Sequence, residues 1–383
     1  MEGAWWVNAD ELDPDQKRLI EIPRDGRYLV LGPPGSGKTN VLILRAAYLY
    51  RSGLRNILVV TFTRALKEFI EAGVHERYHL PRTLFTTFAN WSQVFVHQAG
   101  ASLPLPEDEG DSFDRARLHR VRELQGAINR GDYADEHYDA ILIDEAQDFW
   151  HDEIEVLSRL TKRIFAVGDN RQRIYSRNEG IEALRAAGCT ENRLDFHYRV
   201  GRNICRIADK VLRSASDPLL IEASAYPETT TRSVVETIQC ASLSEQTDEV
   251  IRRLAVQLRA YPNEGIGVLC PKRVLRDNMW HAIQNSALAP LSLLQSADEG
   301  YQKFDSARPI CVLTIHAAKG MEFRAVHILA AEALGVFPRE VAFTAITRAK
   351  TSLTIYHTAP LPGFLDSAVA SPPTALPKLG DLF

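Results

Sequence analysis

Residues 29–39 read Leu-Val-Leu-Gly-Pro-Pro-Gly-Ser-Gly-Lys-Thr, and this stretch constrains the fold more than any other. Leu29, Val30 and Leu31 have the apolar continuity of a strand buried on both faces. A Gly-x-x-x-x-Gly-Lys-Thr loop follows, and the run from Val41 to Tyr50 reads as the next helix. In the order strand, glycine loop, helix, the glycines let backbone N–H groups turn inward. The helix N-terminus adds partial positive charge, and the two together cradle phosphate. Gly32, Pro33, Pro34, Gly35, Ser36 and Gly37 form that cradle. Lys38 is placed to reach the β- and γ-phosphates, and the Thr39 hydroxyl to ligate Mg²⁺. The stretch predicts a nucleoside triphosphate site.

A second signal fits the first. Residues 138–148, Tyr-Asp-Ala-Ile-Leu-Ile-Asp-Glu-Ala-Gln-Asp, bring Asp144 and Glu145 out of the end of a buried strand. Two acids leaving a core strand are costly without a cation or partner. With the phosphate loop they read as a hydrolysis site. Asp144 joins Thr39 in the Mg²⁺ shell, and Glu145 orients and deprotonates the attacking water. Gln172, in the polar loop after the strand near 163–168, is placed to sense the γ-phosphate or that water. Asp13 followed by Pro14 starts a helix, and Gln16 on it is a candidate reader of the adenine edge.

At 383 residues the chain calls for two or three domains. Its formal net charge of −4 gives no global basic field, so any nucleic-acid contact must be local. Cys189, Cys205, Cys240, Cys270 and Cys311 form no C-x-x-C pair and read as reduced, mostly buried thiols. No apolar run spans a membrane and the N-terminus lacks a signal peptide, so a cytoplasmic protein is expected.

Along the chain, strands at 56–61 and 83–91 run into Thr61-Phe62-Thr63 and Thr87-Phe88, with a helix at 65–72 after the first. Such strand ends suit backbone contacts and base stacking on a single strand, or simply pack. After a Pro- and acid-rich loop at 99–114, a helix runs to about Asn129. It carries Arg115, Arg117, Arg120 and Arg122, as a solvated face or as phosphate contacts. Beyond residue 193, strands at 233–239, 266–270, 310–315, 324–329 and 352–356 alternate with helices at 244–260, 272–285, 318–322 and around 339–350. This alternation predicts a second parallel sheet covered by helices. It contains no second phosphate loop, so the second half is expected to complete the site of the first. The expected α/β domains are 1–192, with a small insertion at about 92–137, and 193–359, followed by a Pro-rich tail at 360–383.

Taken in order, these stretches resemble the motif series of the superfamily 1 helicases, in the UvrD/Rep branch. The series comprises the Gln16 helix, the loop 32–39, Thr61-Phe62-Thr63, Thr87-Phe88 and the 144–148 acids. It continues with Gly168-Asp169-x-x-Gln172-x-Ile174-Tyr175 and His197-Tyr198-Arg199. It ends with Thr314-Ile-His316-Ala-Ala-Lys319-Gly320-Met-Glu322-Phe323 and Ala345-Ile-Thr347-Arg348-Ala349-Lys350. The resemblance implies two RecA-like P-loop domains, each a mostly parallel sheet covered by helices, with ATP in the cleft between them. It implies single-stranded DNA across the top. Gln16 and Tyr198 then hold the adenine, Gly320 and Glu322 the ribose side, and Arg199 and Arg348 act as arginine fingers. Thr61, Phe62, Thr87, Phe88, Tyr175, Arg177, Thr314 and His316 become DNA contacts.

The sequence also departs from that family. Arg177 stands where a base-stacking tryptophan is usual, Ala89 stands for a histidine, and the large insertions are nearly absent. The resemblance therefore implies a DNA-dependent ATPase, a 3′→5′ translocase or helicase of the UvrD type that unwinds weakly alone. The alternative is an ATP-gated regulatory or binding subunit of a repair or phage-defence complex. A nuclease or repair factor is an expected partner. So is a sliding clamp, met by the terminal Asp381-Leu382-Phe383.

Overall fold

The computed structural model describes residues 12–62, 78–98, 100, 111–133, 136–175, 177, 179–213, 218–262, 264–295, 305 and 307–370. Thr63, the helix expected at 65–72 and the terminal peptide expected to meet a clamp lie outside them. The chain divides into two compact units, Met1–His197 and Tyr198–Phe383.

In the first unit, β1 (Arg27–Leu31), β2 (Ile57–Thr61), β3 (Phe85–Thr87), β4 (Ala140–Ile143), β5 (Ile164–Gly168) and β6 (Thr190–Arg193) form one sheet. Its order is β3-β2-β4-β5-β1-β6, and every neighbouring pair is parallel. Alternate residues serve opposite faces. Leu29, Leu31, Ile141 and Ile143 pack with Phe149, Ile154 and Leu157. Val30 and Leu142 pack on the other side with Val41, Leu42 and Val167. Helices α1 (Pro14–Glu21), α2 (Lys38–Arg51), α3 (Phe88–Gln98), α4 (Asp111–Asn129), α5 (His151–Arg159) and α6 (Gly180–Ala186) accompany this sheet. Burial on both faces explains why the strands read as continuous apolar runs.

The second unit carries β7 (Val234–Gln239), β8 (Ile266–Cys270), β9 (Ser292–Gln295), β10 (Ile310–Thr314), β11 (Phe323–Ile328) and β12 (Ala349–His357). The order is β7-β12-β11-β8-β10-β9, again parallel throughout. Helices α7 (Arg202–Val211), α8 (Leu243–Ala260), α9 (Arg273–Gln284), α10 (Arg339–Ile346) and α11 (Gly363–Val369) accompany it. Its core joins Val250, Leu254, Ile266, Val268, Met279, Ile283, Ile310 and Val312.

The structure corrects several expectations. The second half does not begin at 193: β6 pairs with β1, and the Leu194 N–H donates to the Leu31 carbonyl at 2.8 Å. This edge strand is Thr-Glu-Asn-Arg and mostly exposed, so no apolar run announced it. The tail does not begin at 360 either. Pro362 sits at the N-cap of α11, where its missing N–H costs nothing, and Leu365 and Ala368 are buried. The strand expected to run to 91 stops at Thr87, and Phe88 opens a helix. Residues 318–320 form a turn and 321–322 lead straight into β11, so no helix forms there. All five cysteines are buried and unbridged. No helix among the described residues is long and apolar enough to cross a membrane.

Candidate nucleotide site

The site of the first unit gathers at the carboxyl ends of β1, β4 and β5, where open parallel sheets collect ligands. Asp13 caps α1 by accepting from the Gln16 N–H at 2.8 Å, and the Gln16 side chain reaches back to the Asp13 N–H. That fixes the buried Gln16 amide, whose Nε2 donates to the Ser36 carbonyl at 2.9 Å. Gln16 therefore braces the phosphate loop from beneath. Gly37 ends the loop with φ +82°, and a Cβ there would lie 2.7 Å from Gln16 Nε2. Gly35 is also left-handed, at φ +76°. Only glycine takes both positions without strain.

Lys38 Nζ donates to the carbonyls of Gly32 and Pro33 at 2.8 and 2.9 Å, so its charge stays within the loop Gly32-Pro33-Pro34. Thr39 Oγ1 donates to Asp144 Oδ2 at 3.0 Å. A hydroxyl and a carboxylate side by side are a hard-oxygen donor set that fits Mg²⁺. Ser36 Oγ is buried with no hydrogen-bond partner among the described residues, as fits a loop shaped for a ligand. Burial first, and the neighbouring Glu145 second, push the Asp144 carboxyl up to about 7. A divalent cation would remove that penalty.

Glu145 is held in the left-handed region at φ +50°. Its Oε2 accepts from Gln147 Nε2 at 2.5 Å. The Gln147 Oε1 accepts from the Asp169 N–H at 3.0 Å, and Gln172 Nε2 donates to Asp169 Oδ2 at 3.0 Å. Burial alone would raise the Asp169 carboxyl, but Lys38, Arg171 and its hydrogen bonds hold it below the usual range. The circuit Glu145–Gln147–Asp169–Gln172 thus ties the ends of β4 and β5 together. Gln147 and Asp169 were missed as site residues. The only signal for them was their place inside stretches already singled out. Gly180 backs this turn so closely that a Cβ on it would come 2.1 Å from the Ala146 carbonyl oxygen.

In the second unit the expected residues engage one another. Arg199 Nη1 donates to Glu322 Oε2 at 3.0 Å, and Lys350 Nζ lies 3.9 Å from the same oxygen. Burial would raise the Glu322 carboxyl, yet Arg199, Lys350 and Arg348 hold it low; burial lowers Lys350. Arg348 is 4% exposed, donating to the carbonyls of Thr344 and Met321 at 3.1 Å each. Gly320 has φ +78°, and Tyr198 is partly exposed. Thr314 Oγ1 accepts from the Ala317 N–H at 3.3 Å, and the His316 ring lies 6.3 Å from Phe337.

The expected strand contacts of the first unit fall into two groups. Thr61, Thr87 and Phe88 are buried, with the Phe88 ring against Trp91 and Phe149, so these side chains pack the strand ends. Phe62 and Tyr175 are half-buried with centroids 4.8 Å apart. Arg177 is exposed at φ +55°, its guanidinium 4.7 Å from the Trp150 ring centroid.

Residues 16–178, in the first unit, match the family described as AAA domain. Residues 309–356, in the second, match the UvrD-like helicase C-terminal domain. DNA helicase IV of Escherichia coli (strain K12) is 30% identical over 116 residues, which are 29% of this chain and 17% of that protein. The solved structure of PRRSV helicase aligns over 89% of this chain and 54% of its own, at 16% identity and a TM-score of 0.41. The matched lengths are thus well under two thirds of either relative. The AAA segment and the UvrD-like segment follow one another, one on each parallel sheet, and in this order the chain is similar to a UvrD/Rep-like helicase.

Proposed function

We propose that the chain hydrolyses Mg-ATP, that single-stranded DNA stimulates the reaction, and that turnover drives 3′→5′ movement along the strand with weak unwinding by the chain alone. One observation carries this reading. The buried circuit from Thr39–Asp144 to Glu145–Gln147–Asp169–Gln172 sets a hydroxyl–carboxylate pair and a second carboxylate beside the phosphate loop at the carboxyl ends of central strands, which supports the reading. In it Thr39 and Asp144 would hold Mg²⁺, and Lys38 would exchange its loop carbonyls for phosphate oxygens. Glu145, fixed by Gln147, would take a proton from water. Gln16, Tyr198, Gly320 and Glu322 would hold the nucleoside, and Arg199 and Arg348 would neutralise developing charge. Phe62, Tyr175, Arg177, Thr314 and His316 would meet the strand. The name of the Escherichia coli relative, a DNA helicase, supports DNA as the nucleic acid. A cytoplasmic location and a nuclease or repair-factor partner belong to the same reading.

Steady-state ATP turnover with and without an oligothymidylate tests it. Lys38→Ala should lose turnover and weaken nucleotide binding, and Glu145→Gln should bind ATP and stall. Arg348→Ala should bind ATP nearly normally yet lose ~10³-fold or more in turnover. Wild-type turnover by Arg348→Ala, or robust unwinding of a long duplex by the chain alone, would overturn the corresponding part.

A second reading, an ATP-gated switch with little turnover, is favoured by the state of the second unit's arginines. Arg199 is paired with Glu322 and Arg348 is buried on backbone carbonyls. Nucleotide binding without strand-stimulated hydrolysis would select this reading.

A further inference from the structure

Arg117 belongs to α4, within the segment 92–137 read as an insertion, and the arginines of its helix read as a solvated face or as phosphate contacts. The structure instead buries it at 2% exposure. Nε and Nη2 donate to the two carboxylate oxygens of Glu153, and Nη2 also donates to the Asp148 carbonyl at 2.8 Å. The guanidinium lies 4.9 Å from the Phe62 ring centroid and 4.5 Å from that of Trp150. Glu153 in turn accepts from the Trp150 N–H at 2.9 Å. One planar fork therefore fastens four elements: α4, the start of α5, the 146–148 turn beside Glu145, and the end of β2.

A buried ion pair adds little net stability over apolar residues of the same volume, because desolvation offsets attraction. What a bidentate guanidinium supplies is fixed geometry. Here the geometry joins two surfaces with different expected tasks. On one side Phe62 touches Tyr175, and Trp150 carries the exposed Arg177. On the other, the Asp148 carbonyl ends the turn that holds Glu145. The hydrogen bonds of Arg117 go to Glu153 and to the Asp148 carbonyl, so it reaches the Glu145 turn through the backbone and not through the Glu145 carboxylate.

We propose that Arg117, locked by Glu153, is the positioning residue through which a nucleic-acid strand bound at Phe62, Tyr175 and Arg177 accelerates hydrolysis at the Asp144-Glu145 turn. The inference rests on the strand-stimulated ATPase reading above. A strand that shifts the Phe62 ring shifts the guanidinium stacked on it, and the fork carries that displacement to the Asp148 carbonyl.

The test replaces the pair as a unit, Arg117→Met with Glu153→Leu, which removes both charges and leaves the volume filled. Such swaps are generally tolerated by the fold. Turnover is measured with and without saturating oligothymidylate, with strand affinity by fluorescence anisotropy and thermal melting alongside. Basal kcat, the KM for ATP and strand affinity should stay within about threefold, while the stimulation factor falls by about tenfold or more, the scale of a coupling energy. Arg117→Lys, which keeps the charge and loses the fork, should show the same loss. Stimulation intact in the double variant overturns the inference. Basal and stimulated rates falling by one common factor also overturn it, since that is what a purely structural pair gives. A wild-type protein that no strand stimulates removes the functional reading and this inference together.

Discussion

Replacing Gln147 by methionine should separate the stability of the carboxylate turn from its chemistry. Gln147 is fully buried, and its amide spans Glu145 Oε2 at 2.5 Å and the Asp169 N–H at 3.0 Å. Methionine keeps the length and volume of the side chain but supplies neither a strong donor nor a strong acceptor. Losing a hydrogen bond to a charged group costs ~1.5–3 kcal/mol, and an Asp169 N–H left buried without an acceptor costs ~1–3 kcal/mol more. The sum, roughly 2.5–6 kcal/mol, is a large part of a domain's ~5–15 kcal/mol stability. For a unit of this size each kcal/mol moves Tm by about 2–4 °C, so melting should fall by roughly 5–24 °C. Turnover should fall further than stability explains. Glu145 would lose the donor that fixes it, and a misplacement of ~1 Å at a reacting group costs ~10²-fold. Binding of a fluorescent ATP analogue should change little, because no contact of the phosphate loop runs through Gln147. Melting by circular dichroism and phosphate release at saturating ATP read the two effects. A Gln147→Met protein with wild-type Tm and kcat would show that Gln147 does not hold the carboxylate.

Two further outcomes follow from close contacts and burial. Gly180→Ala places a Cβ 2.1 Å from a backbone oxygen of the carboxylate turn. It should cost at least ~1–3 kcal/mol of stability and slow turnover while sparing nucleotide binding, and an unchanged melting curve would refute the packing argument. His327 is fully buried, its Nδ1 accepting from the Tyr356 hydroxyl at 2.9 Å and its Nε2–H donating to Gln257 Oε1 at 2.8 Å. Burial holds its pKa down at about 3 against an ordinary 6.5. The unfolded chain therefore takes up a proton below pH 6.5 that the native state refuses, and stability falls as pH drops from 6.5 toward 3. At pH 5 the loss is ~2 kcal/mol. His327→Gln should flatten that part of the stability–pH curve in urea titrations, and an unaltered slope would rule out His327 as its source.

What the sequence made legible depends on neighbours along the chain. The left-handed glycines before Lys38, the apolar run of β1, and the acids leaving β4 are local patterns with local causes. The parallel sheets followed from alternation alone. The elements that were not foreseen lack any such local signature. The edge strand Thr190–Arg193 is polar, and its place is set by pairing with β1, far earlier in the chain. Gln147 looks like any glutamine after an acidic pair until Asp169 offers its N–H.

The same distinction separates the arginines, and here it bears on mechanism. Arg117 sits in an arginine-rich helix whose charge pattern suits solvent, and its burial is explained by distant partners, Glu153 36 residues away together with the Asp148 carbonyl and the Phe62 and Trp150 rings. Arg199 meets Glu322 across 123 residues, and Arg348 turns back on the carbonyls of Thr344 and Met321. A motif names a residue type at a position; the partner that holds its charge decides what that residue can do. An arginine spent on a carboxylate must be released before it can neutralise another anion, and at Glu322 the neighbouring Lys350 and Arg348 would keep part of the compensation when Arg199 leaves.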